Sequence, residues 1–505
     1  MKGSKAWAAL LLLAALAALV AGCGSSDDSS SGDVKLTGDA WPNVDQASTR
    51  EAKGEINRGN ASDLEVAWTL PSEAQSTYGA YAASPVIANG VVYMQDLESS
   101  VQAVSLDSGE VQWTWKSESA TQGPNGVVVA DGKVFGATAT EAFALDQETG
   151  KELWSAPVAV SPTAIDMAPG YSEGLVYIST VPVNVNSEYQ GGGVGTLYAL
   201  DAKTGDEAWS WETVPKDLWG DKKTNSGGGL WYPPSFDEKG FMYFGTGNPA
   251  PYPGTAKKPW GSSRPGPNLY TNSLVKLNAK SGKLEWYHQS TPHDLYDWDF
   301  QNSPILTKAG SRDVAIGSGK NGLVTAVDVK TGKPVWSTPV GKHNGHTDDG
   351  LLAMRGETSK IKGGEVLPGN LGGVITPPAA NDSTIFVPFV NHGIEVTPSQ
   401  TLGEGAGMEG GIVALDTKTG KVKWEQSYPT AAFGSPVVVN DVVFFATFDG
   451  TVHGLDVDSG GELWTASLPA GSNSAVTASG DTLVVPAGIA TAEGQKPELV
   501  AYRLK

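Results

Sequence analysis

Short runs of alternating apolar and polar residues recur along this chain, and seven of them end in one phrase: an acidic or amide residue, Ser or Thr, Gly, and four residues after the Gly a Trp. The copies are VQAVSLDSGEVQW ending at Trp113, AFALDQETGKELW at Trp154, LYALDAKTGDEAW at Trp209, LVKLNAKSGKLEW at Trp286, VTAVDVKTGKPVW at Trp336, IVALDTKTGKVKW at Trp424 and VHGLDVDSGGELW at Trp464. Alternation with period two predicts strands, and the polar Gly-containing break predicts a tight turn whose Gly supplies positive φ. Each copy therefore reads as a hairpin, and a repeated hairpin decides the fold before any local detail does.

The Trp-to-Trp spacings are 41, 55, 77, 50, 88 and 40 residues. A unit of about 40 residues built from short strands is one four-stranded propeller blade, so two units carry long insertions. The chain ends with DTLVVPAG and LVAYRLK, which read as middle strands of a blade with no Gly-x-x-x-Trp after them. LEVAWTLP around Trp68 is the strand they lack. Residues 64–70 are thus expected to pair with the C-terminal strands, giving an all-β, eight-bladed β-propeller whose last blade is closed by the N-terminal strand and leaves no open edge. A content of 63 Gly and 31 Pro suits so many turns, and a ring of blades makes residues 37–505 one domain.

The N-terminus changes the picture of where this propeller works. Two lysines in residues 1–5, an apolar run over 6–20, and Val20-Ala21-Gly22 before the single cysteine, Cys23, read as a lipoprotein signal peptide over 1–22 with Cys23 as the lipidated first residue. The run is short for a transmembrane helix. Residues 23–36 read as a flexible Ser/Asp/Gly tether, which places the protein outside the cytoplasmic membrane, anchored by lipid. Removing residues 1–22 takes away two lysines and no acid, so the formal charge moves from −20 to −22. That charge argues against nucleic acid as a partner and suits cation binding or plain solubility. No disulfide can form within a chain that has one cysteine.

In a propeller, the connections leaving each outer strand gather around one funnel, and here they begin just after each repeat Trp. After Trp286 comes YHQSTPHDLYDWDFQ, with His293, Asp294, Asp297 and Asp299. After Trp336 comes STPVGKHNGHTDDG, with His343 at the same offset as His293, then His346, Asp348 and Asp349. Lys216, Asp217 and Asp221 follow Trp209, and Asn473 and Ser474 follow Trp464. Three of the chain's six histidines fall in two adjacent funnel loops, a clustering that points to a site. Three aspartates so close together call for a cation among them or a raised pKa in at least one; the plainer alternative is that they cap turns. The His343-Asn-Gly-His346 spacing is not a helical zinc spacing, and Asn-Gly marks a turn.

These residues match a family. The repeats resemble the tryptophan-docking motifs of the quinoprotein (PQQ-dependent) alcohol dehydrogenases, and the likeness runs from Asn57 through the mature chain. The family's eight-bladed propeller holds pyrroloquinoline quinone (PQQ) and a metal ion in its funnel. The segment GGGLWYPPSFDEKGFMYFGTGNPAPY resembles the stretch in which a Trp floors the quinone and an Asn ligates the metal, which implies those roles for Trp231 and Asn248. QSTPHDLYDWD resembles the catalytic loop, which implies that Asp297 is the base and a metal ligand, and that Asp299 is the extra carboxylate of lanthanide-using members. Tyr296 stands where the family has Trp. The resemblance further implies Lys320 and Asn391 as cofactor contacts and Glu188 as a metal ligand, with Ca²⁺ or a lanthanide as the metal.

Departures accompany the match. Asn125-Gly126 stands where an Arg-Gly would anchor the carboxylates of PQQ, the adjacent-cysteine disulfide is missing, Glu188 aligns only across two extra glycines, and there is no haem-binding Cys-x-x-Cys-His. Three functions stay open at this point. One is a lipid-anchored dehydrogenase oxidising an alcohol or sugar and passing electrons to an acceptor. The others are a non-catalytic propeller that binds a ligand or metal, and an envelope-assembly scaffold, a class that shares the repeat without a cofactor.

Overall fold

A computed structural model describes residues 48–52, 54–183, 191, 193–397, 399–405 and 407–505. Cys23, the tether and Glu188 lie outside the described residues. Regular structure is almost entirely β, and the longest described helix is Asp349–Met354. No described helix is long and apolar enough to cross a membrane.

The repeat forms the hairpin its pattern predicts. Glu141–Asp146 and Glu152–Pro157 pair antiparallel with a bulge just before Trp154. The Asp146 carboxylate closes the turn by accepting the Thr149 N–H at 2.9 Å and its hydroxyl at 2.6 Å, and Gly150 takes φ 70°. Two further strands complete each antiparallel sheet on its inner side, with inner strands starting at Val86, Val128, Gly170, Ser235, Ile305, Ala379, Val437 and Thr477. Inner and middle strands such as Val437–Val439 and Val442–Ala446 are buried throughout, while outer strands such as Glu207–Glu212 mix exposed and half-buried positions. That gradient is what sheets packed face to face around an axis produce.

Why Gly and Trp recur together is visible in the packing. Each repeat Trp up to Trp424 donates its indole N–H to the next sheet and lies against that sheet's repeat Gly: Trp113 reaches the Gln147 carbonyl at 3.1 Å, and a β-carbon on Gly150 would fall 2.5 Å from the Trp113 ring. The same contact links Trp154 to Ala202 and Gly205, Trp209 to Ala279 and Gly282, Trp286 to Val329 and Gly332, Trp336 to Thr417 and Gly420, and Trp424 to Val457 and Gly460. Any side chain at these glycines would both strain the backbone and expel the indole.

The ends close as expected. Leu64–Pro71 pairs antiparallel with Glu498–Leu504 as the outer strand of the sheet that also holds Thr477–Ser479 and Thr482–Ala487. Trp464 donates to the Leu64 carbonyl at 3.3 Å, and Trp68 continues the series to Leu106 at 2.9 Å and to Gly109. Upstream, the chain at Arg50 and Ala52 crosses the sheets: Arg50 is buried and donates to the Pro436 carbonyl at 2.6 Å, and Ala52 pairs with Val439. Asn440, in a turn at the far end of an inner strand, donates to the Gly54 carbonyl at 2.8 Å, so this segment lies at the end opposite the funnel loops.

The two long insertions meet over the loop after Trp286. Residues from the second, Ile361, Val366, Ile394 and Val396, pack with Leu295, Tyr296 and Trp298, and Trp260 of the first insertion joins them. The Trp260 N–H donates to the Gln400 side chain at 2.8 Å, tying the insertions to each other.

Candidate functional site

Glycine builds the site's floor. Gly227, Gly228 and Gly229 all have positive φ, and Ser226–Gly228 is wedged between Val194–Gly195 on one side and Pro249–Ala250 on the other. A β-carbon on Gly229 would meet the Thr180 carbonyl at 2.2 Å, so only glycine lets the chain pass here and deliver half-buried Trp231. Gly247 marks where the pieces converge: its β-carbon would stand 3.4 Å from Trp231 Nε1 and 3.2 Å from Asp299 Oδ1. Asn248, the next residue, donates its backbone N–H to Asp299 Oδ1 at 2.6 Å. Its side-chain nitrogen is spent on the Pro249 carbonyl at 3.3 Å, which leaves the amide oxygen as the end suited to a ligand.

The three clustered aspartates have separate jobs. Asp294 is buried and accepts the N–H groups of Tyr296 at 2.8 Å and Trp298 at 2.7 Å, so it caps the turn around Asp297. Buried Arg264 supports the same loop by donating to the Asp294 carbonyl, the Asn268 side chain and, at 3.2 Å, the Pro251 carbonyl; burial pushes it down to about 10. Asp297 sits at φ 63° between the two capped residues. Asp297 and Asp299 share one cation, the Lys320 ammonium, at 2.9 and 2.5 Å. Burial pushes the Asp297 carboxyl well above the ordinary range; Lys320 opposes that push and Asp299 adds to it. Burial likewise works against the Lys320 charge, but the two carboxylates outweigh it and hold the ammonium above the usual lysine value. Of the two outcomes expected for crowded acids, the raised pKa is seen at Asp297, and the positive charge beside the pair is the Lys320 ammonium.

Other expectations fare differently. The funnel histidines do not assemble: His293 places its ring nitrogens against the Gly266 and Trp260 carbonyls, His343 faces the Val340 carbonyl, and His346 pairs with Asp349 at 2.7 Å. Burial, with Arg264 nearby, pushes His293 down to about 4, as befits a neutral packing residue. Among the described residues no three His, Cys, Asp or Glu side chains form a metal cluster. Asp217 caps a turn by accepting the Trp219 N–H at 3.2 Å, and Asp221 pairs with Lys258. Asn391 is engaged elsewhere, its side-chain oxygen accepting the Lys342 N–H at 2.8 Å.

Two groups at the funnel, Tyr78 and Asp166, escaped the sequence reading. Tyr78, on the connection into the first sheet, has its phenol pushed up by burial and feels Lys320, Asp166 and Asp297 together. Asp166 is buried, accepts the Gln122 N–H at 2.9 Å through one oxygen, and has no partner for the other. Burial pushes its carboxyl up to about 6. Asn125 donates to the Asp96 carbonyl at 2.6 Å and has an unpartnered side-chain oxygen. It lines an axial cavity of about 30 Å³ together with Ala168, Tyr232, Thr376 and Asn473, room for a water or two and too little for a ring system.

This arrangement can be tested against a metal and a quinone. A hard cation would find two carboxylates and an amide oxygen at Asp297, Asp299 and Asn248, where Lys320 already shows that positive charge is favoured. An indole such as Trp231 offers a flat face to a planar ring. The residues fit at this end. The rim at Asn125 and Asp166 presents oxygens in place of the cations that a carboxylate-bearing ligand would seek.

Fold and site define a tryptophan-docked β-propeller with an acidic, lysine-bridged funnel. The family model for the glucose/ethanol/alcohol dehydrogenase β-propeller domain matches residues 41–132 and 161–344, more than half the chain, and the chain belongs to this family. A second model, outer membrane protein assembly factor BamB, matches 97–219 and 389–505. The putative dehydrogenase XoxF of Paracoccus denitrificans is 28% identical over 85% of this chain and 82% of its own. The lanthanide-dependent methanol dehydrogenase of Methylorubrum extorquens is 27% identical over 90% and 88%. Among solved structures, the quinohemoprotein alcohol dehydrogenase from Comamonas testosteroni superposes with a TM-score of 0.79 at 24% identity, covering 92% of this chain and 80% of that one, which is a likeness of fold.

Proposed function

We propose that this chain is an eight-bladed, extracytoplasmic, lipid-anchored quinoprotein dehydrogenase that oxidises an alcohol or a sugar with PQQ and Ca²⁺ or a lanthanide, and hands electrons to a separate acceptor. The observation that carries the reading is the pairing of Asp297 and Asp299 across Lys320, next to Trp231 and Asn248. Dehydrogenase relatives that cover most of this chain support it.

Trp231 would hold the cofactor's flat face, and Asn248, Asp297 and Asp299 would hold the cation. Bound PQQ with its cation would supply a polarised two-electron acceptor for the substrate's hydride. Asp297 receives the substrate hydroxyl proton at its carboxylate. A carboxyl raised by burial is a stronger base toward an alcohol than an exposed aspartate, and Lys320, which donates to it at 2.9 Å, opposes that rise. Asp299 adds negative charge, which favours a trivalent ion over Ca²⁺.

The position of Ala52 and Gly54 at the end opposite the funnel supports an anchor that leaves the funnel facing away from the membrane. The series of indole N–H bonds from one sheet to the next, which runs through Trp464 to Leu64 and Trp68 to Leu106, supports the count of eight blades. The unpartnered oxygens of Asn125 and Asp166 favour a second reading, a propeller that binds a metal or a neutral ligand without turnover. The two readings part on dye reduction by protein reconstituted with PQQ and Ca²⁺ or La³⁺ and offered primary alcohols and aldoses. The enzyme reading expects turnover that Asp297→Ala abolishes, and fails if the wild type shows none with either metal.

A further inference from the structure

Asp297 is held in the left-handed region, which costs a non-glycine residue roughly 1 kcal/mol or more, so its surroundings must enforce it. Part of the enforcement is local, through the Asp294 cap. The rest comes from the insertion after Trp336. Tyr296, in the position before Asp297, is 1% exposed and donates its hydroxyl to Asp349 Oδ2 at 2.5 Å. His346 Nδ1 meets the same oxygen at 2.7 Å, and the Tyr296 and His346 rings stand edge to face. Trp298, in the position after Asp297, donates its indole N–H to the Pro368 carbonyl at 3.0 Å. Both neighbours of Asp297 are thus fastened to one insertion, whose apolar residues cover them. The Asp349 helix presses on the loop as well, since a β-carbon on Gly350 would lie 1.9 Å from the His293 carbonyl.

We infer that Tyr296, Asp349 and His346 form a latch through which the insertion positions Asp297, fixing the direction in which its carboxylate points toward Lys320 and the cation site. Tyr296 is a positioning residue, and its hydroxyl has a use that the indole resembled at this position would not supply. Asp349 is the hub because it is buried and accepts from both partners through one oxygen. A plain packing role would be satisfied by any aromatic ring at 296, so Tyr296→Phe, which keeps the ring and removes one oxygen, separates the two roles. A shared carboxylate acceptor couples its two donors, so Asp349→Ala should release both, whereas Asp349→Asn keeps an acceptor for Tyr296.

The inference rests on the proposed cation site, and its test distinguishes failure of one from failure of the other. Apo full-length protein is titrated with Tb³⁺ alone and read by tryptophan-sensitised luminescence, with Asp297→Ala as the zero reference and Glu357→Gln, in an exposed pair with Lys360, as the control for the insertion. Amide exchange at Tyr296 and Trp298 is measured in the same proteins. Tyr296→Phe and Asp349→Ala are expected to weaken Tb³⁺ about tenfold and to speed exchange at both amides about tenfold, with Asp349→Asn closer to wild type and Glu357→Gln unchanged. Wild-type affinity and exchange in Tyr296→Phe and Asp349→Ala would overturn the latch. If wild-type protein fails to bind Tb³⁺, the cation site falls, and the latch is decided by exchange at the two amides.

Discussion

Replacing Lys320 by Met removes one buried ammonium and leaves the stem's volume in place. In the wild type that ammonium lies 2.9 Å from Asp297 and 2.5 Å from Asp299, with Asp299 1% and Lys320 14% exposed. Breaking a buried ion pair on one side leaves an uncompensated charge and costs about 3–5 kcal/mol. Here two carboxylates lose their shared partner, so the upper part of that range is expected. Lys342→Met is the matched control: its pair with Glu409 is as short, 2.7 Å, but 60% and 55% exposed, and such pairs contribute at most about 1 kcal/mol. The assay is urea unfolding at pH 7, followed by tryptophan fluorescence with and without added Ca²⁺ or Tb³⁺. A cation that takes the ammonium's place should restore stability to Lys320→Met, by about 2.7 kcal/mol at a free concentration a hundredfold above its dissociation constant. Equal losses in Lys320→Met and Lys342→Met, or a Lys320→Met protein indifferent to cations, would refute the reasoning.

Asp166 gives a pH signature. Its folded pKa of about 6 lies above the ordinary 3.8, so the native state binds the proton more tightly, and its contribution is present below the unfolded value and lost as pH rises through about 6. Asp166→Asn removes that loss, and should be more stable than wild type by up to about 3 kcal/mol at pH 8 and indistinguishable near pH 3 in urea melts; an equal difference at both would contradict it. Deleting residues 1–36 should leave a cooperative, soluble domain, whereas deleting through Leu70 exposes the edge of Glu498–Leu504 and should cause aggregation on size exclusion. Cys23→Ser should move the protein from the membrane to the soluble fraction, and unchanged fractionation would remove the anchor from the account.

What could be read from sequence was whatever chain neighbours determine. The Gly–Trp phrase is local, and it marks both the hairpin turn at residues such as Gly150 and the contact made by Trp113, because the same glycine serves both. The pairing of Leu64–Pro71 with Glu498–Leu504 followed from a missing strand at one end and a spare one at the other. The site was legible only where a resemblance supplied it. Nothing in the spacing of Asp294, Asp297 and Asp299 says which caps a turn; that depends on Asp294 facing the backbone N–H groups of Tyr296 and Trp298. The histidine clustering misled because equal offsets after Trp286 and Trp336 put His293 and His343 on carbonyls of their own surroundings. Asp166, Tyr78 and Asp349 act across sheets or insertions, and no local pattern signals a partner 53 positions away, as Asp349 is from Tyr296.

Cofactor and metal stoichiometry bears most directly on the central claim. Purified full-length protein is equilibrated with PQQ and with Ca²⁺ or La³⁺, and bound quinone and metal are counted by absorbance and elemental analysis while Trp231 is compared with Trp231→Ala for quenching of fluorescence. The account predicts one PQQ and one metal ion per chain, each retained at micromolar concentration, with quenching that Trp231→Ala diminishes and metal binding that Asp297→Ala abolishes. Protein that retains neither below millimolar concentrations would contradict it.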